Sequence, residues 1–210
     1  MTTNQNSTMN SGRFIVLTLT ICMLAACIGC AHTVKFSYDP GVAPAPTLPC
    51  PVALSLSKAF TSYEHATSLT FITDEVHAPF GPALQKYATY VAQSVFGDVQ
   101  VLDGQPPRSE AKLLLIPRVT SLDLRQISPG SDRTASGALG VQWDFNNPKT
   151  GQTLFSVPVQ CESSHRAGFF GSKSPEKTLA PVAVGLMTNL TSITIQRFNA
   201  SKDIQRLSGH

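Results

Sequence analysis

"GALGVQWDFNNPKTGQTLFSVPVQC", residues 137–161, is the stretch on which the fold class turns. In its first half Leu139, Val141, Trp143 and Phe145 alternate with Gly140, Gln142 and Asp144. In its second half Phe155, Val157, Val159 and Cys161 are the apolar set. Successive side chains of a strand point to opposite faces, so each half carries one apolar and one polar face. Asn147-Pro148-Lys149-Thr150-Gly151 between them is turn chemistry. The stretch predicts a β-hairpin with one face in a core and the other in water.

That apolar face needs cover, and two helical patterns supply it. In "GPALQKYATYVAQSVFG" (81–97), Leu84, Tyr87, Ala88, Val91 and Val95 recur at helical spacing, with Pro82 in the first turn and Gly97 past the end. A last helix starts near Ser174 as N-cap and Pro175, with Leu179, Ala183, Leu186, Leu190 and Ile193 as its stripe. Pro181 bends or shifts its first turns. Strands are expected at 51–60, at 98–103 and at "KLLLIPRVTSLDLRQ" (112–126), the last bent or at an edge because Pro117 cannot donate. The order β-α-β-β-β-β-α predicts an α+β fold, a mostly antiparallel sheet of four to five strands with both helices on one face. Leu84, Val91, Leu139, Val141, Trp143, Val157 and Leu186 are expected in its core.

The N-terminus has a different chemistry. Arg13 is the only charged residue of the first 34, and Phe14 to Ala26 is an apolar run of thirteen. That is short of the about 20 residues a spanning helix needs and within the about 7–15 of an export signal. Leu24-Ala25-Ala26-Cys27 looks like the bacterial lipoprotein box, in which the cysteine thiol receives a diacylglyceryl group before cleavage. Cys30 is a weaker site, because Cys27 stands where its box needs a branched apolar residue. The expected organisation is a signal peptide at 1–26, a lipidated, proline-rich spacer at 27–50, one domain at 51–200 and a C-terminal tail at 201–210. "VKFSY" (34–38) within the spacer could instead be an edge strand. Cys50 and Cys161 border strands and are candidates for a disulfide in an oxidising compartment.

Composition narrows the function. The net charge of +3 comes from scattered basic residues, which argues against nucleic acid and against a polybasic lipid patch. No further stretch reads as a membrane span. "SPEK" (174–177) and "KTG" (149–151) imitate a serine acyl-transfer enzyme, but their order is reversed, and "SDR" (131–133) lacks the asparagine of the third element. "GFFGSKS" (168–174) misses the phosphate-loop pattern because Ser172 separates glycine from lysine. His32, His65, His77, His165 and His210 show no ligand spacing. No catalytic residue, metal site or cofactor is expected, and Trp143 reads as core.

Together the lipobox, "VKFSYDP", helix 81–97, "AKLLLIPRV" (111–119) and the hairpin 141–159 resemble small envelope lipoproteins of the YajG and lipopolysaccharide-assembly type, over residues 33–198. The resemblance implies a structural or accessory subunit of an envelope assembly. Auxiliary lipoproteins of ABC-type lipid-transport systems have nearly the same layout and imply lipid binding instead. Attachment through Cys27 to the outer membrane, on its periplasmic face, is expected because Ile28 rather than aspartate follows the cysteine. Phe169 and Phe170, adjacent between Gly168 and Gly171 and flanked by Arg166 and Lys173, are the candidate contact with an envelope protein. The competing reading is a lid over the open end of the core.

Overall fold

The computed structural model describes residues 32–68, 75–127, 133–167 and 175–208. In chain order the elements are β1 (His32–Thr33), β2 (Val52–Ser55), α1 (Lys58–Thr61), β3 (Glu64–Ser68), β4 (Glu75–Pro79) and α2 (Gly81–Phe96). They continue with β5 (Val99–Leu102), β6 (Leu113–Ile127), β7 (Arg133–Asn146), β8 (Thr153–Ala167), α3 (Pro175–Ala200) and α4 (Lys202–Ser208). The fold is α+β, with a five-stranded sheet in the order β5-β2-β6-β7-β8 and a three-stranded sheet in the order β1-β4-β3.

The hairpin forms as its alternation requires: Val141 pairs with Val159, Trp143 with Val157 and Phe145 with Phe155. Leu139, Val141, Trp143 and Phe145 are buried, whereas Val157 is only half-buried because β8 is the outermost strand. The sheet is mixed rather than mostly antiparallel. β2 pairs parallel with both β5 and β6, and only β6-β7-β8 is antiparallel. Parallel partners need a long crossover, and the chain between β2 and β5, which contains α2, provides it. The second sheet was not expected from the sequence.

Strand β6 departs from simple alternation for a physical reason. Val119 pairs with Val141 and Ser121 with Gly140, so Thr120 is an extra residue in a bulge. One extra residue reverses which face the following side chains take. Leu113 and Leu115 before the bulge and Leu124 after it therefore all reach the same core. Gly140 opposite leaves room for the bulge, since a Cβ there would lie 2.6 Å from Ser121 Oγ and force that hydroxyl to turn away. Pro117 sits beyond the last pairing with β2 at Leu115, where that side of β6 is a free edge.

α2 and α3 cover the apolar face. Trp143 meets Phe198 edge to face at 5.2 Å and Tyr87 at 5.8 Å, so rings from both helices close on one indole. Glu176–Ala200 is long and apolar enough to cross a membrane by length and composition, which the sequence reading missed. Here half of its most apolar window is buried against the sheet and α2.

Two boundaries are corrected. Residues 34–50 are not a free spacer but a strap over the helices, with Val34, Tyr38, Leu48 and Cys50 buried. Leu48 and Cys50 donate to the Val95 and Phe96 carbonyls at 2.8 and 3.1 Å, joining the strap to the C-terminal end of α2. Each large apolar side chain buried contributes about 1.5–3 kcal/mol, enough to overcome the stiffness of the intervening prolines. The C-terminal segment is likewise not a tail: α4 buries Ile204, and Lys112 Nζ donates to the Ser208 carbonyl at 3.2 Å.

Candidate functional site

Because the bulge keeps leucines inward, Asp123 and Arg125 of β6 face away from the helices. Beside them stand Ser136 and Ala138 of β7 and Glu162 and Ser164 of β8, and with Asn189 these line a groove of 680 Å³. Small residues on the middle strand leave its floor open. Arg125 Nη2 lies 2.5 Å from Asp123 Oδ2, but both are well exposed, so the pair is worth no more than about 1 kcal/mol. Asn189 Nδ2 donates to the Glu162 carbonyl at 2.8 Å. The groove can offer hydrogen bonds and charge. Its side chains include no thiol, histidine or phenol.

Further along the same face, Asp144 is almost wholly enclosed. It takes Arg118 Nη2 at 2.5 Å, Ser156 Oγ at 2.6 Å and Gln142 Nε2 at 2.8 Å. Desolvation pushes its carboxyl up, but the Ser156 and Gln142 hydrogen bonds and the Arg118 charge outweigh that and hold it below the usual range. A carboxylate so occupied is a structural node rather than a general base.

The exposed edge of β8 is partly closed. Arg197 of α3 donates to the Pro158 carbonyl, Asn189 occupies that of Glu162, and Pro158 itself has no N–H. A strand added here would meet those side chains first.

In the small sheet His77 stands between two carboxylates, Nδ1 at 2.9 Å from Glu64 and Nε2 at 3.5 Å from Glu75. Among the described residues no group of three or more His, Cys, Asp or Glu is placed to hold a metal ion.

The candidate disulfide between Cys50 and Cys161 is not formed; both are free and buried. Cys50 sits where the strap meets the end of α2, whereas Cys161 faces α3 from β8 and donates to the Leu186 carbonyl at 3.3 Å. Burial pushes both thiols up, that of Cys161 to about 11, so neither is poised as a nucleophile.

Cys27, Phe169, Phe170 and Ser174 lie outside the described residues. Lys149-Thr150-Gly151 occupies the β7–β8 turn, where Asn147 Oδ1 accepts from Lys149 N at 2.9 Å and Gly151 has φ of 71°. That is turn chemistry and not a catalytic strand edge. Trp143 is fully buried and cannot be a ligand platform. Sequence reasoning missed the polar ladder beneath it. Trp143 Nε1 donates to Tyr87 Oη, which donates to Thr194 Oγ1 at 2.8 Å, which in turn donates to the Leu190 carbonyl at 2.6 Å. The available signal was Thr191 and Thr194 on the apolar side of a helix.

No family model matches the chain, and no curated protein matches it. Solved structures do. A homolog of neuraminyllactose-binding hemagglutinin from Helicobacter pylori is similar over 84% of this chain and 96% of its own, at 11% identity and a TM-score of 0.52. A DUF330 protein from Xanthomonas campestris overlaps 85% of this chain and 97% of its own, at 10% identity and a TM-score of 0.47. A minor lipoprotein from Acinetobacter baumannii covers 71% and 94%, at 13% identity and a TM-score of 0.40. The first likeness concerns the fold alone, and the two looser overlaps add nothing to it.

Proposed function

We propose that this chain is a lipoprotein anchored through Cys27 to the periplasmic face of the outer membrane, where it serves as a structural or accessory subunit of an envelope assembly. The observation that carries the reading is Leu24-Ala25-Ala26-Cys27 directly after the apolar run from Phe14. Several acyl chains on the one cysteine hold far more firmly than a single chain. The architecture supports a non-catalytic role: Asp144, the most enclosed carboxylate of the sheet's outer face, is tied up by three partners. An auxiliary lipid-binding role would need room between helices and sheet, and Trp143, Phe145 and Phe198 fill the centre of that space. Contact with an envelope protein through Phe169 and Phe170 belongs to the same proposal.

Labelled palmitate is expected to enter the wild-type chain and not Cys27→Ala. The acylated protein should fractionate with the outer membrane and migrate in mild detergent as a complex larger than a monomer. Migration as a monomer would refute the assembly role, and label retained by Cys27→Ala would move the anchor elsewhere. Phe169→Ser and Phe170→Ser should each reduce that complex without lowering the melting temperature. A lower melting temperature with the complex intact would make the pair a lid.

A further inference from the structure

We infer that the end of the small sheet bearing His32 and Glu75 rests against the phospholipid headgroups. The inference rests on acylation at Cys27 and adds to it an orientation. As a free spacer, residues 27–50 could reach about 70 Å at about 3.1 Å per residue. The fold removes most of that length, because the chain enters the small sheet at His32, only five residues after Cys27. Five residues span at most about 18 Å. A domain of this size is about 40 Å across, so the leash is shorter than half the molecule. Only the surface around His32 can then lie on the bilayer.

The register identifies that surface. His32 pairs with Val76 and Thr33 with His77, so the anchor arrives at the first residues of β4, beside the exposed Glu75. The strap cannot slip to lengthen the leash without breaking buried contacts: Val34 N donates to the His77 carbonyl at 2.8 Å, and the Tyr38 phenol meets Thr191 Oγ1 at 2.5 Å. The carboxylates of Glu64 and Glu75 are held against the His77 ring, and Lys35, exposed on the same entering segment, offers a positive charge to the headgroups. The β7–β8 turn stands at the opposite end of β2 from the small sheet. Leu114 pairs with Asn146 beside that turn, β2 starts level with Leu113 and runs away from it, and from Ser55 the chain passes through α1 into β3.

The test uses the acylated full-length protein in phosphatidylethanolamine–phosphatidylglycerol vesicles carrying a nitroxide quencher on the headgroup. Glu75→Cys and Lys149→Cys, each with Cys30→Ser, are labelled with a small fluorophore; Cys50 and Cys161 are buried and stay unlabelled. The label at position 75 should lose most of its fluorescence while that at 149 keeps it. A long Gly-Ser insertion after Ala31 should restore fluorescence at 75 with acylation unchanged. Equal quenching at both positions, or quenching at 75 that survives the insertion, overturns the orientation while leaving the lipoprotein reading intact. Absence of the acyl group overturns both.

Discussion

The indole of Trp143 and the phenol of Tyr87 are joined by a 2.9 Å hydrogen bond at the fully buried junction of sheet and helices. Burial pushes the Tyr87 phenol far above its ordinary value, despite the hydrogen bonds from its neighbours. A neutral donor–acceptor relay is thus locked between β7, α2 and α3. Tyr87→Phe would leave the indole N–H buried without its acceptor, and should cost about 1–3 kcal/mol. Trp143→Ala, which also opens a cavity, should cost about 3–5 kcal/mol. Urea unfolding midpoints measure both, and a Trp143→Ala cost near zero would place that side chain outside the core.

The strap predicts where the domain begins. A chain starting at Pro51 lacks Val34, Tyr38, Leu48 and Cys50 and exposes the surface they cover. It should not unfold cooperatively, whereas a chain starting at His32 should. Calorimetry of the two distinguishes the strap from a spacer.

Gly97 should tolerate no side chain. Its φ of 77° is strained for other residues, and an added Cβ would lie 2.7 Å from the Pro46 ring. Gly97→Ala is expected to lose about 1–3 kcal/mol and to loosen the strap, seen as faster proteolysis between Pro40 and Pro49.

Cys161 makes stability fall in alkali. Its thiol titrates near 9 when unfolded and at about 11 in the fold. The folded state therefore holds the extra proton between those values. Its contribution, up to about 2–3 kcal/mol, is complete below pH 9 and is lost as pH rises through 11. Subtracting the curve of Cys161→Ser cancels other groups that titrate there. A difference that is flat across this window would contradict the burial.

Asp144 acts at the other extreme. Its folded pKa lies below the usual value, so its contribution is present above about pH 4 and is lost as pH falls through the folded pKa. Wild type should exceed Asp144→Asn in stability at neutral pH, with the gap closing in acid. An unchanged gap would mean that Arg118 and Ser156 do not hold the carboxylate in solution.

What the sequence determined by itself is local. The alternation from Leu139 to Phe145 and the helical period from Leu84 to Val95 record burial within a single element, so the hairpin, α2, the shared apolar face and the place of Trp143 were all legible. Only tertiary structure decided the rest, because it depends on partners distant in the chain. Proline spacing in 40–49 describes an isolated spacer, and nothing local says that Leu48 and Cys50 will complete the end of α2. The inward leucines of β6 change parity at Thr120, and a bulge is visible only against Gly140. Cys50 precedes β2 and Cys161 lies within β8, yet whether two thiols meet is set by the packing of α2 and α3 between remote segments. The groove between Asp123 and Glu162 exists because three strands bring small side chains side by side. No single strand's sequence contains that neighbourhood.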